Sequence, residues 1–288
     1  MVAAAEPAEG MPVNDETTVP PVAVITGAGG GIGRATALAL ARRGMRLCLV
    51  ERDAKRLAAV VNAVKESVAG CGVLPLTLDV ASEGDMEEMV TRTLETFGQV
   101  DVLVTAAGIL RAPGRGPAAL ADTTPEEFDT VVAVNLRGTF LATRAVLRPM
   151  LAAKSGHIVH ISSVSGLQGR AFDGPYCASK FAVRGFSESV AEEVGRSGVR
   201  VHTVLPDAVA TSLWEQNGPV PMPPEALPPE RVADFIAYLL DMPPDCVLRN
   251  PIIAPFSGSR RRRRRREASG EQPVSAAVTS GEPESGQR

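Results

Sequence analysis

The sequence predicts an α/β protein built on one doubly wound parallel sheet of about seven strands. Short apolar runs alternate along the chain with longer segments of helical periodicity, which is the pattern of strands joined by crossover helices. The chain has 288 residues, a length suited to one α/β domain with a large core. Helices cover both faces of such a sheet, so its strands are nearly continuous apolar runs.

Seven apolar runs bounded by turn residues give the predicted strands. They lie at residues 22–26, 46–50, 73–79, 101–105, 157–162, 199–205 and 251–255. Segments such as GDMEEMVTRTLETF and KFAVRGFSESVAEEV have the helical period and fill intervals between strands. Because open parallel sheets bind ligands beyond the carboxyl ends of their strands, we expect functional side chains directly after these runs.

The first strand passes into a glycine-rich turn with the spacing Thr26-Gly27-x3-Gly31-x-Gly33, and an alanine- and leucine-rich helix follows. Glycines permit a tight turn and let backbone N–H groups approach a pyrophosphate at the helix N-terminus. The spacing differs from the G-x-G-x-x-G fingerprint of dinucleotide sites. The second strand ends in Glu51, where a carboxylate is expected to bind an adenosine ribose. Together these features predict a dinucleotide site.

Ser163, Tyr176 and Lys180 form a second motif, Ser-x12-Tyr-x3-Lys. Tyr176 and Lys180 are four residues apart, so on a helix they share one face. An ammonium beside a phenol favours the phenolate, and we expect it to lower the pKa of the tyrosine and promote proton exchange with a substrate oxygen. Ser163 ends a predicted buried strand, from which its hydroxyl can hydrogen-bond the same oxygen. The motif indicates redox chemistry on a carbonyl or an alcohol.

These motifs and their order resemble the short-chain dehydrogenase/reductase family, over about residues 21–256. Asp79-Val80 matches the family's adenine-contacting pair. Asn135, in VAVNLRGTF, matches the asparagine that holds a water linking the lysine to solvent. The resemblance implies a single-domain, Rossmann-like fold over residues 21–258 and a homo-dimer or homo-tetramer.

The resemblance also assigns roles to individual residues. The implied catalytic residues are Asn135, Ser163, Tyr176 and Lys180. The implied cofactor-binding residues are Thr26, Gly27, Gly31, Ile32, Gly33, Glu51, Arg52, Asp79, Val80, Gly108, Tyr176, Lys180 and Thr211. No metal is implied. In the implied reaction Tyr176 is the acid/base, Lys180 lowers its pKa and holds the nicotinamide ribose, and Ser163 orients the substrate oxygen.

The chain departs from the family pattern at two places. Thr105-Ala106-Ala107-Gly108 stands where the family usually has Asn-Asn-Ala-Gly, which removes two side-chain amides beside the cofactor. Asp207 follows Pro206 where the family usually has glycine. Asp207 either caps a helix or shapes the choice of substrate, and we favour the cap because aspartate is a preferred capping residue.

The sequence gives mixed signals on the choice between NAD and NADP. The Glu51 carboxylate can accept hydrogen bonds from both ribose hydroxyls and repel a 2′-phosphate, which favours NAD. Arg52, or Arg34 if it turns toward the ribose, can bind a phosphate instead. Gly30 stands where NADP-preferring relatives often have a basic residue. We therefore favour NAD.

The segment 207–229 is proline-rich and lacks a period, as is typical of a lid or a substrate-binding loop. Leu213, Trp214 and Met222 would close over the substrate, with Leu167 and Phe172 on the opposite wall, or would simply pin the loop to the body. In the first case the secondary alcohol or ketone substrate is substantially apolar.

Other features of the chain bear on its location. We expect residues 1–20 to be a disordered tail; they contain neither the basic nor the apolar region of a signal peptide. No apolar run has the roughly 18 residues that span a bilayer. The four cysteines are scattered, which favours a reducing, cytoplasmic environment. His157, His160 and His202 are interpreted as core or rim residues, and strand parity turns His160 away from Ser163.

Residues 259–288 form a second expected disordered tail, which contains seven consecutive arginines from Arg260 to Arg266. Such a run is either a solvated tail or a site for nucleic acid or another polyanion. Two classes of function follow. The first is an NAD(P)-dependent oxidoreductase, which we favour; the alternative is a non-catalytic nucleotide-binding regulatory protein that works through the arginine tail.

Truncation after Gly258 tests the role of the tail. Folding and redox rate should be unchanged, because a run of like charges does not build a core. If the tail binds polyanions, only the full-length protein will be retained on heparin at low salt. Equal elution of the two proteins would dismiss polyanion binding.

Overall fold

The structure is a computed structural model, and it describes residues 19–256. In the described residues the strands are β1 Val22–Thr26, β2 Arg46–Val50, β3 Val73–Leu76, β4 Val102–Thr105, β5 Gly156–Ile161, β6 Val199–Pro206 and β7 Ile252–Ile253. All of them run parallel, in the order β3-β2-β1-β4-β5-β6-β7. The predicted fold class is confirmed. The predicted tails, residues 1–20 and 259–288, fall almost entirely outside the described residues.

Seven α-helices connect the strands in this part of the chain. They are α1 Gly31–Arg42, α2 Ala54–Ser67, α3 Glu83–Phe97, α4 Pro125–Val132, α5 Gly138–Ala153, α6 Gly174–Val194 and α7 Pro229–Leu240. Side-chain caps define several helix starts: Asp53 accepts hydrogen bonds from two backbone N–H groups of α2, and Ser82 and Thr124 cap α3 and α4. A π-helical turn, Ala133–Arg137, lies between α4 and α5.

Two apolar layers enclose the sheet. Along β1 and β2, alternate residues such as Ile25 and Leu49 face the layer that includes α1, α2 and α7. Their neighbours Val24 and Val50 face the layer that includes α3, α5 and α6. This alternation is the two-residue period of a strand that is buried on both faces.

The order of the strands reverses between β1 and β4. From β1 the chain moves outward through β2 and β3, and it then crosses back to β4 and continues to β7. Open α/β sheets bind ligands in the crevice beyond the carboxyl ends of the strands at such a point. The fold therefore places the ends of β1, β4 and β5 around one crevice.

The ends of the sheet differ from the predicted strands. β3 ends at Leu76 rather than at residue 79, and residues 77–79 are irregular before a turn at Val80 and Ala81 leads to α3. Pro75 lies in this edge strand, where a missing N–H is tolerated on the outer side. β7 has two residues instead of the predicted five. Among the described residues, no helix is both long and apolar enough to span a membrane.

The three histidines lie away from the crevice, as the sequence indicates. His160 is fully buried, with Nε2 2.9 Å from the Thr143 hydroxyl and Nδ1 2.5 Å from the Ser187 hydroxyl. Burial lowers its pKa to about 3. His157 stacks on His202 at the opposite end of the strands, and burial lowers the pKa of His157 to about 4.

Acid should therefore destabilise the fold through His160. Its folded-state pKa lies below the unfolded value of about 6.5, so its contribution is complete above pH 6.5 and is lost as the pH falls toward 3. At pH 5 the loss for this residue is about 2 kcal/mol. Urea unfolding at several pH values should show a shallower decline for His160→Asn than for wild type, whatever its absolute stability. Equal slopes would contradict the assignment.

Candidate active site

A cavity of about 490 Å³ occupies the crevice at the carboxyl ends of the strands. Its walls come from the glycine turn after β1, the segments after β2, β3 and β4, the end of β5 with the start of α6, and the segment after β6. Of the predicted site residues, those that line the cavity are Gly27, Gly31, Ile32, Gly33, Glu51, Arg52, Asp79, Val80, Gly108, Ser163, Tyr176, Lys180 and Thr211. Thr26 and Asn135 lie just behind this lining.

The glycine turn owes its shape to very close backbone packing. A Cβ on Gly27 would lie 2.5 Å from the backbone of Ala107, and Gly27 also has a positive φ of 65°. A Cβ on Gly31 would lie 2.4 Å from the Thr211 methyl group, and one on Gly33 would lie 2.1 Å from the Gly27 carbonyl oxygen. Any side chain at these positions would push apart three segments of the cavity wall. The turn leads directly into α1, whose first residues line the cavity and whose N-terminus has no side-chain cap, an arrangement that suits a pyrophosphate.

Glu51 lies beside this turn at the end of the cavity formed by β2. One carboxylate oxygen accepts a hydrogen bond from the Gly29 N–H at 3.2 Å, and the other accepts one from the Asp53 N–H at 3.1 Å. Arg52 and Arg56 line the same end. Sequence reasoning missed Arg56, which comes from the first turn of α2 and enters the lining only because the Asp53 cap sets where that helix starts.

Asp79 and Val80 follow β3 and complete this end of the cavity. The Asp79 carboxylate accepts a hydrogen bond from the Ala81 N–H at 2.9 Å, which fixes the turn. Val80 packs on α5: a Cβ on Gly138 would lie 2.7 Å from a Val80 methyl group. Both residues are therefore held in place by the chain itself.

Ser163, Tyr176 and Lys180 meet at the end of β5. Ser163 follows the strand, while Tyr176 and Lys180 lie one turn apart on α6 and are buried. The Lys180 ammonium lies 5.7 Å from the centroid of the Tyr176 ring and donates a hydrogen bond to the Ile161 carbonyl at 2.9 Å. The structure thus brings together the three residues whose spacing the sequence singled out.

The pKa of Tyr176 differs from the sequence expectation. Burial raises it to about 12, and this outweighs the opposing effects of a hydrogen bond with Ser163 and of the positive charge of Arg170. Burial also lowers the pKa of Lys180 to about 8. The prediction that Lys180 lowers the pKa of Tyr176 is wrong for the protein alone. Burial disfavours the charged form of both groups, the phenolate and the ammonium.

Asn135 lies in the π-helical turn behind the catalytic group. Its side-chain amide accepts a hydrogen bond from the Ile109 N–H at 2.8 Å and donates to the Ile109 carbonyl at 2.9 Å and to the Ser179 hydroxyl at 3.0 Å. A Cβ on Gly108 would lie 3.4 Å from the Asn135 side-chain oxygen and 3.7 Å from the Lys180 nitrogen. Asn135 therefore fixes the segment after β4 next to Lys180.

The first departure from the family pattern leaves a polar group without a side-chain partner. Among the residues that the structure describes, none hydrogen-bonds the buried Thr105 hydroxyl. Ala106 and Ala107 line the cavity with small side chains, and Ala107 makes the close contact with Gly27. Here backbone packing holds the strand end where the family pattern has side-chain amides.

The second departure corrects a prediction. Asp207 caps no helix: the next helical turn is the 3₁₀ segment Ser212–Asn217, and Thr211 caps it. The Asp207 carboxylate instead lies 3.3 Å from the Arg170 guanidinium, at the mouth of the cavity. The alternative interpretation, a carboxylate beside the substrate entrance, matches this position.

The walls around Tyr176 are more polar than predicted. Leu213 and Trp214 line the cavity, and Trp214 also pins the loop by donating a hydrogen bond to the Val209 carbonyl at 2.8 Å. Met222, Leu167 and Phe172 are exposed and lie outside the lining. Polar residues take much of this half, and sequence reasoning missed all but one of them: Arg111, Arg170, Asp173, Asp207, Gln216 and Asn217. They lie in loops or, for Gln216 and Asn217, in the short 3₁₀ segment, where no periodic pattern in the sequence marks which side faces the cavity.

Fold and site together define a nucleotide-binding oxidoreductase. Residues 21–220 match the short chain dehydrogenase family, and the chain belongs to that family.

Three individual proteins are similar to the chain over most of its length. The chain is 37% identical over 229 residues to a 3-oxoacyl-[acyl-carrier-protein] reductase of Synechocystis, an alignment that covers 77% of this chain and 90% of the relative. A solved actinorhodin polyketide ketoreductase with NADPH superimposes with a TM-score of 0.74 at 30% identity, over 83% of this chain and 98% of that one. A 3-ketoacyl-(acyl-carrier-protein) reductase of Brucella melitensis complexed with NADH gives a TM-score of 0.73 at 28% identity, over 83% and 99%.

Proposed function

We propose that this oxidoreductase transfers a hydride between a nicotinamide cofactor and a secondary alcohol or ketone. The observation that carries the proposal is the meeting of Ser163, Tyr176 and Lys180 in a cavity whose other end is the glycine turn. The alternative of a non-catalytic regulatory protein does not call for this complete set of residues. The family of reductases to which the chain belongs also favours turnover.

The residues present fit a dinucleotide. Gly27, Gly31 and Gly33 allow the close packing that shapes the turn, and the start of α1 has no side-chain cap, so its first N–H groups suit a pyrophosphate. Glu51 would hold the adenosine ribose and Lys180 the nicotinamide ribose, and Thr211 lies against Gly31 of the glycine turn. When bound, a nicotinamide would supply or accept the hydride.

The protein's own contribution is to hold and move a proton at the substrate oxygen. With its pKa raised by burial, Tyr176 is a protonated phenol at neutral pH and can donate to that oxygen during reduction. The Ser163 hydroxyl lies next to Tyr176 and orients the same oxygen. Lys180, with a pKa lowered to about 8, can return a proton to Tyr176 and hydrogen-bond the nicotinamide ribose.

The substrate half of the cavity suits a ketone with both apolar and polar parts. Leu213 and Trp214 offer apolar surface, whereas Gln216 and Asn217 offer hydrogen bonds from the same helical turn. The sequence expectation of a substantially apolar substrate is therefore narrowed to a substrate with apolar bulk and at least one further hydrogen-bonding group.

The exchange of Tyr176 for phenylalanine tests the proposed chemistry. The variant keeps the ring and loses only the proton donor, so the rate of ketone reduction should fall about 100-fold or more while the dissociation constant for the cofactor stays near wild type. Tyr238→Phe is the matched control, because Tyr238 is the other tyrosine and lies exposed on α7. A Tyr176→Phe variant that retains more than about a tenth of the wild-type rate would exclude the acid/base role.

We further propose that NAD is preferred over NADP. The Glu51 carboxylate is fixed by two backbone N–H groups at the adenosine end, where it meets the ribose hydroxyls and opposes a 2′-phosphate. We expect kcat/KM for NADH to exceed that for NADPH by at least about tenfold and Glu51→Gln to reduce the difference. A preference for NADPH that disappears in Arg52→Ala or Arg56→Ala would instead assign the ribose contact to an arginine.

We also propose that the protein is a homo-oligomer and that it works in the cytoplasm. Partly exposed apolar side chains on three neighbouring helices, Phe128, Phe140, Leu151 and Phe181, support a homo-dimer or homo-tetramer. Cys48, Cys71, Cys177 and Cys246 are free thiols, which supports a reducing cytoplasm.

A further inference from the structure

Arg111 is a buried cation that belongs to none of the motifs. It follows β4 by a few residues, and only 5% of its surface is exposed. Its guanidinium donates to the Asp173 carboxylate at 2.5 Å, to the Phe172 carbonyl at 2.7 Å and to the Asn217 side-chain oxygen at 3.3 Å. A buried arginine is costly to desolvate, and the hydrogen bonds from its two terminal nitrogens offset that cost, while its Nε–H has no partner among the described residues.

The contacts of Arg111 join three separate segments around the substrate half of the cavity. Arg111 itself belongs to the segment after β4. Phe172 and Asp173 belong to the segment that leads into α6, and Asn217 belongs to the helical turn after β6. The Gln216 side-chain oxygen adds to the junction by accepting hydrogen bonds from the backbone N–H groups of Leu110 and Arg111, at 2.9 and 3.3 Å.

One of these partners sits at the base of the helix that carries the catalytic tyrosine. Asp173 immediately precedes α6, and its carbonyl accepts a hydrogen bond from the Cys177 N–H at 2.8 Å, directly beside Tyr176. Phe172, next to it, has a positive φ of 67°, a conformation that non-glycine residues seldom adopt without support. The Arg111 bond to the Phe172 carbonyl holds the backbone at this point.

The chemistry of the junction calls for arginine rather than lysine. The guanidinium presents donors in a rigid planar fork, so a single group can reach a carboxylate, a carbonyl and an amide oxygen in fixed directions. A lysine ammonium has three donors at one point and a shorter reach. It can neutralise Asp173 but cannot span the same three segments.

We propose that Arg111 is a positioning residue for catalysis: it fixes the substrate walls and the start of α6, so that Tyr176 meets the substrate oxygen in the productive geometry. This inference rests on the proposed oxidoreductase function. None of the hydrogen bonds of Arg111 reaches the glycine turn or Glu51 at the opposite end of the cavity, so we expect NADH affinity to change little when Arg111 is replaced.

The test compares Arg111→Met and Arg111→Lys with wild type in the full-length protein. The control is Arg43→Met, because Arg43 also pairs with an aspartate, Asp241, at the ends of α1 and α7 outside the cavity lining. Two measurements are made: hydrogen exchange in segments 108–116, 168–176 and 212–218, and the kinetics of ketone reduction together with the dissociation constant for NADH.

We expect Arg111→Met to exchange faster in all three segments and to lose kcat/KM for the ketone by a factor on the order of ten to one hundred, with an unchanged NADH dissociation constant. Arg111→Lys should retain the fold and show an intermediate loss, with a raised KM. Arg43→Met should match wild type in both measurements.

Other outcomes overturn the inference. Wild-type kinetics and exchange in both Arg111 variants would remove the positioning role. If the NADH dissociation constant rises by the same factor as kcat/KM for the ketone falls, Arg111 has a general structural role instead. If the wild-type protein reduces no ketone, the proposed function fails, and the exchange data alone then decide whether Arg111 joins the three segments. If Arg111→Met does not fold, Arg111→Lys and Asp173→Asn carry the same comparison.

Discussion

Three glycines without side chains, Gly27, Gly31 and Gly33, set the geometry on which the rest of the site depends. At the carboxyl end of β1, the glycine turn touches the segment after β4 on one side and the segment after β6 on the other. A Cβ atom added to any of these glycines would lie 2.1–2.5 Å from its nearest neighbour, well inside van der Waals contact. Close packing of the glycine turn against its two neighbouring segments therefore limits the width of the cavity.

Burial is the second organising influence, and it acts on the catalytic pair in opposite directions. The same low-dielectric surroundings raise the pKa of Tyr176 and lower that of Lys180, so both groups favour their neutral forms. Two charges close to the tyrosine, those of Arg170 and Asp173, each have a partner from another loop, Asp207 and Arg111. The electrostatic environment of the phenol is thus set mainly by desolvation and by the neighbouring Ser163 hydroxyl.

Much of the fold and the motif residues could be predicted from the sequence because their signals are local. The bounds of β1 and β2 follow from apolar runs, and Tyr176 and Lys180 share a face because helices repeat every 3.6 residues. The Asp207 prediction failed because its partner, Arg170, is close only after folding. Arg111 was missed for the same reason, and the pKa of Tyr176 depends on burial that no spacing records.

The two edges of the sheet are unequal. The carbonyls of Gly72, just before β3, and of Leu76, at its end, accept from the Leu47 and Glu51 N–H groups. Even-numbered residues therefore bond β2, and Pro75 faces outward. A proline there offers no donor to an incoming strand and protects this edge against association with other chains. At the opposite edge, β7 consists of Ile252 and Ile253, and among the described residues no further strand pairs with it. In the part of the chain that the structure describes, a proline thus restricts strand addition at one edge of the sheet, and the other edge presents a strand of only two residues.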